Sequence, residues 1–156
     1  MNLFLIAHTA KLTASLHCDK HVIKMILEIA QMLYCAWWTL NAKMLESSSW
    51  PLKQKPYRQT HKNHPTSVWV RSHPNHYQFA CDVGLALCSE YSRRYGLHKV
   101  HKCQAHLQAL ANAGHPTPNK SFAKHAWKAL FQRPDKVATC DLPPGIQYFP
   151  LAIDDK

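Results

Sequence analysis

His17-Cys18-Asp19-Lys20-His21-Val22-Ile23-Lys24-Met25-Ile26-Leu27-Glu28-Ile29-Ala30-Gln31-Met32-Leu33-Tyr34-Cys35 decides the fold class. At about 100° per residue, His17, His21, Lys24, Glu28, Gln31 and Cys35 fall within one arc of roughly 80°. Nearly everything else from Val22 to Leu33 is apolar. An ordinary surface helix has a wide polar face, whereas this one has a narrow seam. Such a seam lines a cleft or a satisfied buried network. Helical patterning without Gly or Pro runs from Thr13 to about Asn41, with a break possible near Cys18-Asp19, where Asp19 can cap a second segment.

Outward from this helix the pattern stays α. Residues 3–7 form a short apolar stretch, read as a strand or an extended arm. Residues 46–67 read as a long basic loop containing Pro51, Pro56 and Pro65. Pro74 opens a helix that runs to Arg94, with Gly96 just past its end. Its apolar face carries Tyr77, Ala80, Val83, Leu87 and Tyr91. A further helix is expected over 98–113, burying Val100, Cys103, Leu107 and Leu110, with His106 on another face. Another is expected over 121–132, and 139–156 reads as an irregular tail. The expectation is one mainly α domain over 1–156, of about four helices with long basic loops and little or no sheet.

Composition narrows the class. The chain has 156 residues, 46% of them hydrophobic, so one domain with one core is expected and disorder is excluded. Lys and Arg total 19 against 9 carboxylates, a net charge of +10, which points to an anionic partner. There is no apolar run of membrane-spanning length, and the start lacks the basic region of a signal peptide. An intracellular monomer with no membrane contact is expected. The six cysteines form no CxxC pair and are expected to be free thiols.

Three features carry chemistry. In the seam, Lys24, His21 and Glu28 can form an acid/base or imine-forming site; the plainer reading is an i,i+4 ion pair beside a core histidine. The histidine pairs His17/His21, His61/His64 and His98/His101 have metal-compatible spacing, but neither CxxC nor HExxH occurs, so neither metal nor other cofactor is expected. In the basic loop and beyond, Lys53, Lys55, Tyr57, Arg58, Lys62, Asn63, His64, Trp69 and Arg71 interleave cations with aromatics. That suits phosphate contacts with base stacking; the plainer reading is a solvated loop with Trp69 packed in the core. P-loop, Rossmann and nucleophile-elbow motifs are absent from the sequence.

Cys18-Asp19-Lys20-His21-Val22 with Lys24-Met25 and Leu27-Glu28 resembles a family of mostly uncharacterised phage and virus proteins. So do Thr60-His61-x-Asn63-His64-Pro65, Val68-Trp69-Val70-Arg71 and Glu90-Tyr91-x-Arg93-Arg94-Tyr95-Gly96; together they cover most of residues 1–96. More distantly, the order Asn2-Leu3, Asp19-x-His21, Glu28, His64 and Arg93-Arg94-x-Gly96 resembles pyrimidine-dimer DNA glycosylases of the phage endonuclease V type. This likeness implies a small helical DNA N-glycosylase with abasic-site lyase activity on double-stranded DNA. It implies Glu28 as catalytic carboxylate, His21 as a positioning group, and an amine from Met1 or Lys24 as nucleophile. Lys20, Lys62, Asn63, His64, Trp69, Arg71, Arg93 and Arg94 are the nucleic-acid-binding candidates. The chain departs from the pattern in carrying Leu27 and Gln31 where those enzymes have arginines, and in a longer segment before His21. Two alternatives accompany it: a non-catalytic nucleic-acid-binding protein, or a small-nucleotide enzyme using a His21/Lys24/Glu28 pocket.

Overall fold

The computed structural model describes residues 2–117. Among them there are six helices and no strand: α1 (Ala10–Leu16), α2 (Asp19–Leu40), α3 (Ala42–Glu46), α4 (Pro65–Ser72), α5 (Pro74–Tyr95) and α6 (Gln104–Ala113). The expected helix over 121–132, the tail 139–156 and Met1 lie outside the described residues.

The start of the chain is an extended arm rather than a strand. Leu3, Leu5 and Ala7 alternate inward and are buried, while Asn2 and Phe4 are exposed. The arm ends where Thr9 caps α1 by accepting from Leu12 N. His17 then takes an extended conformation (φ −68°, ψ 138°), which stops α1 and separates it from α2. Cys18 is the N-cap of α2, and Asp19 sits in the first turn, where its charge complements the helix dipole.

Helix α2 is the central element. Val22, Met25, Ile26, Ile29, Ala30, Met32, Leu33 and Tyr34 are almost fully buried against α4, α5 and α6. Burying each large aliphatic side chain contributes about 1.5–3 kcal/mol. Gly84 of α5 lets the helices close on one another: a Cβ there would lie 2.9 Å from Leu107 Cδ2 and 3.1 Å from Ile29 Cγ2.

The same start device is used twice. His64 and His73 each cap a helix by accepting a backbone N–H through the imidazole, and each is followed by Pro at the first helical position. The first of these helices, α4, begins inside the segment that reads as loop from sequence. At the other end of α5, Gly96 takes φ 124°, a conformation that L side chains rarely adopt.

Two chains of polar groups inside the core are partnered across helices. Trp37 Nε1 donates to Tyr77 Oη at 2.8 Å, and Tyr77 Oη donates to Leu110 O at 3.2 Å. Burial pushes the Tyr34 hydroxyl up to about 12, so it stays protonated, and it shares a hydrogen bond of 2.7 Å with His106 Nδ1. His106 is therefore a core residue, not a group on another face of α6. Helix α6 starts at Gln104 instead of 98, and Val100 is exposed rather than buried, because Gly96–Lys99 closes a turn that keeps 97–100 outside the core. The described cysteines 18, 35, 81, 88 and 103 are free thiols. No described helix is long and apolar enough to cross a membrane.

Candidate active site

The buried Glu28 lies midway along the polar seam of α2. Its Oε2 accepts a hydrogen bond from the backbone N–H of Asn2 at 2.7 Å. Its Oε1 stands 3.4 Å from Lys24 Nζ, one turn back, and that lysine side chain is 66% exposed. The longer segment before His21 therefore does not separate the start of the chain from Glu28. The arm folds back along α2, and burial of Leu3 and Leu5 holds it there. Two residues on, the exposed ring of Phe4 stacks on His21 with centroids 5.1 Å apart and an interplanar angle of 22°. His17 closes this end of the seam. Burial lowers its pKa, and its Nδ1–H donates to Thr13 O at 2.7 Å.

The basic loop straps the other half of α2. Trp38 Nε1 donates to Tyr57 O at 2.7 Å, and Gln59 Nε2 donates to Thr39 Oγ1 at 3.0 Å. From there the chain reaches His64, whose imidazole is held down by burial and by His61 and drawn up by the Glu28 carboxylate. Its Nδ1 serves as an acceptor for Thr66 N, so the neutral ring is the form that caps α4. Arg71 Nη1 donates to Lys62 O and fixes the loop end to α4. Asn2 N, Lys24 and Glu28 are in direct contact, and the Glu28 charge is felt at His64 on the loop end.

The other expected site residues are distributed differently. His21 lies two turns before Glu28, against Phe4. Lys20, Lys62 and Asn63 are exposed, and Arg71 is half-buried. Trp69 is a core residue: it is buried and lies flat on His76, with centroids 4.2 Å apart and 7° between planes, so its face is not offered to a base. Arg93 is exposed and pairs with Glu90. Arg94 is spent inside the protein. It bonds Glu90 Oε1, Asp19 Oδ1, His17 O and Ser15 O, and so ties the α1–α2 junction to α5. The Arg93 guanidinium, with Arg94, holds the buried Glu90 carboxyl at about 2 against the opposing effect of burial.

The stacking of Phe4 on His21 and the pairing of Glu90 with Arg93 and Arg94 escaped the sequence reading, although Glu90 is part of the motif quoted there. Phe4 was detectable as the outward residue between the inward Leu3 and Leu5. Glu90 was detectable as an acid three and four residues ahead of two arginines. No group of three or more His, Cys, Asp or Glu among the described residues is arranged to hold a metal ion. Comparison with known protein families, curated proteins and solved structures gives no match for this chain.

Proposed function

We propose that this protein is a DNA-processing enzyme, a DNA N-glycosylase with associated abasic-site lyase activity on damaged or modified pyrimidines. The observation that carries this reading is the 2.7 Å hydrogen bond from Asn2 N to the buried Glu28 carboxylate. With the 3.4 Å pair to Lys24, it joins Asn2 and one amine-bearing side chain at a single carboxylate in a chain of net charge +10.

The chemistry follows from those groups. The neutral amine of Met1 or Lys24 attacks C1′ of the damaged nucleotide. The C1′–N bond to the base breaks, and the base leaves with that electron pair and takes up a proton. The C1′–O4′ bond then opens, O4′ is protonated, and an iminium remains between enzyme and sugar. The Glu28 carboxylate removes a proton from C2′, and the resulting elimination expels the 3′ phosphate and breaks the strand. The duplex must first surrender the target nucleotide, and bending or base flipping supplies that exposure.

Borohydride trapping on a duplex with one abasic site tests the reading. Wild-type protein is expected to give a covalent adduct and a strand break; Glu28→Gln is expected to keep the trappable adduct and lose the strand break, while duplex affinity changes less than about threefold. Loss of the adduct in Lys24→Ala assigns the amine to Lys24. Its loss in a chain extended ahead of Met1 assigns it to Met1. Salt-sensitive duplex binding with no adduct and no strand break would replace this reading with that of a non-catalytic nucleic-acid-binding protein.

A further inference from the structure

Among the described residues the most exposed large apolar side chains lie on the turn that follows α5. Leu97 is 86% exposed and Val100 is 65% exposed. Neither is loosely held. Lys99 N donates to Gly96 O at 2.8 Å, closing a tight turn with Leu97 and His98 at its corners. Ser92 Oγ donates to Lys99 O at 2.6 Å, which fastens the turn to α5. The His98 ring packs close over Gly96, where a Cβ would lie 3.0 Å from it. On the far side the buried His101 sets its ring edge-on to Tyr91, with centroids 5.2 Å apart, and accepts from Cys103 N. The result is a rigid knob that displays two aliphatic side chains to solvent at little further entropic cost.

The cations free to meet an anion are on the turn itself, since Arg93 and Arg94 just before it are paired with Glu90 and Asp19. Lys99, Lys102 and His98 are exposed on the turn itself. The knob also has a fixed place relative to the candidate active site. Tyr95 Oη donates to Asp19 O, and Arg94 binds Asp19 Oδ1, so the turn abuts the first turn of α2 beside the exposed Lys20. From Asp19 to Glu28 the helix rises about 13 Å, or roughly four base-pair steps of duplex.

We propose that the Gly96–Lys102 turn is a duplex-opening wedge: Leu97, with Val100 behind it, enters between base steps, while Lys99 and Lys102 hold the flanking phosphates. The inference rests on the DNA reading above and adds to it a second contact surface with a separate task. Apolar side chains that enter a stack kink the duplex and lower the cost of exposing a nearby nucleotide. Two aliphatic side chains are too little surface for stable anchoring to a membrane, which needs a longer amphipathic face. One wedge residue is enough to part a base step.

The test uses the whole protein and a short duplex carrying a tetrahydrofuran abasic analogue beside 2-aminopurine, read by affinity and by fluorescence. Wild type is expected to bind and to raise the fluorescence as the probe unstacks. L97A/V100A is expected to bind roughly 10- to 100-fold more weakly, without the fluorescence rise and with an unchanged melting temperature. Lys99→Ala is expected to keep the fluorescence rise and to lower the salt slope by about one. Equal affinity and equal fluorescence for wild type and L97A/V100A would overturn the wedge and leave the DNA reading standing. A wild-type protein that ignores the duplex would overturn both. Vesicles of phosphatidylcholine with phosphatidylserine form the control arm. Binding to these that depends on Leu97, without duplex binding, would reassign the turn to an anionic lipid surface.

Discussion

Arg93 and Arg94 are neighbours with the same charge, yet their loss is expected to have opposite consequences. The Arg94 side chain is only 16% exposed and makes bonds to Glu90, Asp19, His17 O and Ser15 O. In Arg94→Ala the bond to the exposed Asp19 costs little, since surface pairs contribute about 0–1 kcal/mol. Glu90 matters more: it is 8% exposed and would keep only Arg93. Hydrogen bonds to charged groups contribute about 1.5–3 kcal/mol, and since water replaces part of the two carbonyl bonds at the rim, losing them with the Glu90 bond should destabilise the fold by about 2–4 kcal/mol. With a typical urea dependence, the unfolding midpoint falls by about 1–2 M. Arg93→Ala removes an exposed, two-bond partner from a carboxylate that keeps its bond from Arg94, and its midpoint should fall less than that of Arg94→Ala. Duplex affinity reads the other half. Arg93→Ala should weaken binding and reduce its salt dependence by about one counterion, whereas folded Arg94→Ala should bind nearly as wild type. An Arg94→Ala midpoint no lower than that of Arg93→Ala would refute this division of labour.

Three further outcomes are expected. Gly84→Ala presses a methyl group between Leu107 and Ile29 and should cost about 1–3 kcal/mol in urea unfolding; an unchanged midpoint would mean that α6 can retreat freely. Tyr34→Phe leaves His106 Nδ1 without its hydroxyl, a loss of about 1–2 kcal/mol that a thermal melt at neutral pH should detect and that a cost near zero would contradict. Burial holds the imidazoles of His17, His64, His101, His106 and His115 below their ordinary value. The unfolded chain therefore takes up protons first as pH falls through about 6.5, and stability declines from there down to the lowered folded values. Urea midpoints at pH 7.5 and 5.5 should differ in that direction, and equal midpoints would show the imidazoles to be solvated.

The parts of the fold legible in the sequence are those with long periodicity or firm punctuation. α2 declares itself through an uninterrupted apolar pattern with one polar seam, and α5 through Pro74 and Gly96. The α1–α2 break was placed within a residue, but Cys18, not Asp19, is the cap. Helix α4 was hidden by its length and by the basic residues ahead of it, although Pro65 plays the same part there as Pro74 does in α5. The start of α6 was set too early because Val100 fits the buried stripe by spacing alone, and periodicity cannot register a turn fastened by Ser92 and Gly96. In the candidate site, Glu28 and Lys24 were legible because four residues on a helix make neighbours. That Asn2 meets Glu28 was not, because a contact between residues 26 apart follows from where the arm packs. The two arginines look alike in sequence and are separated only by tertiary partners.

The arm that carries Asn2 belongs to no helix. It is secured by three small inward side chains, by the Ala7–Thr13 hydrogen bonds and by the bond to Glu28. Its detachment would expose Leu3, Leu5 and Ala7 and leave every helix of the bundle intact. Such an opening belongs to the low end of a protein's hierarchy of local unfolding free energies. Under gentle denaturation, helical circular dichroism would then persist after the group at Glu28 has come apart. If the group at Glu28 is the working site, as proposed, activity is expected to be lost when this extended strap of a few residues detaches, ahead of the melting of the helices.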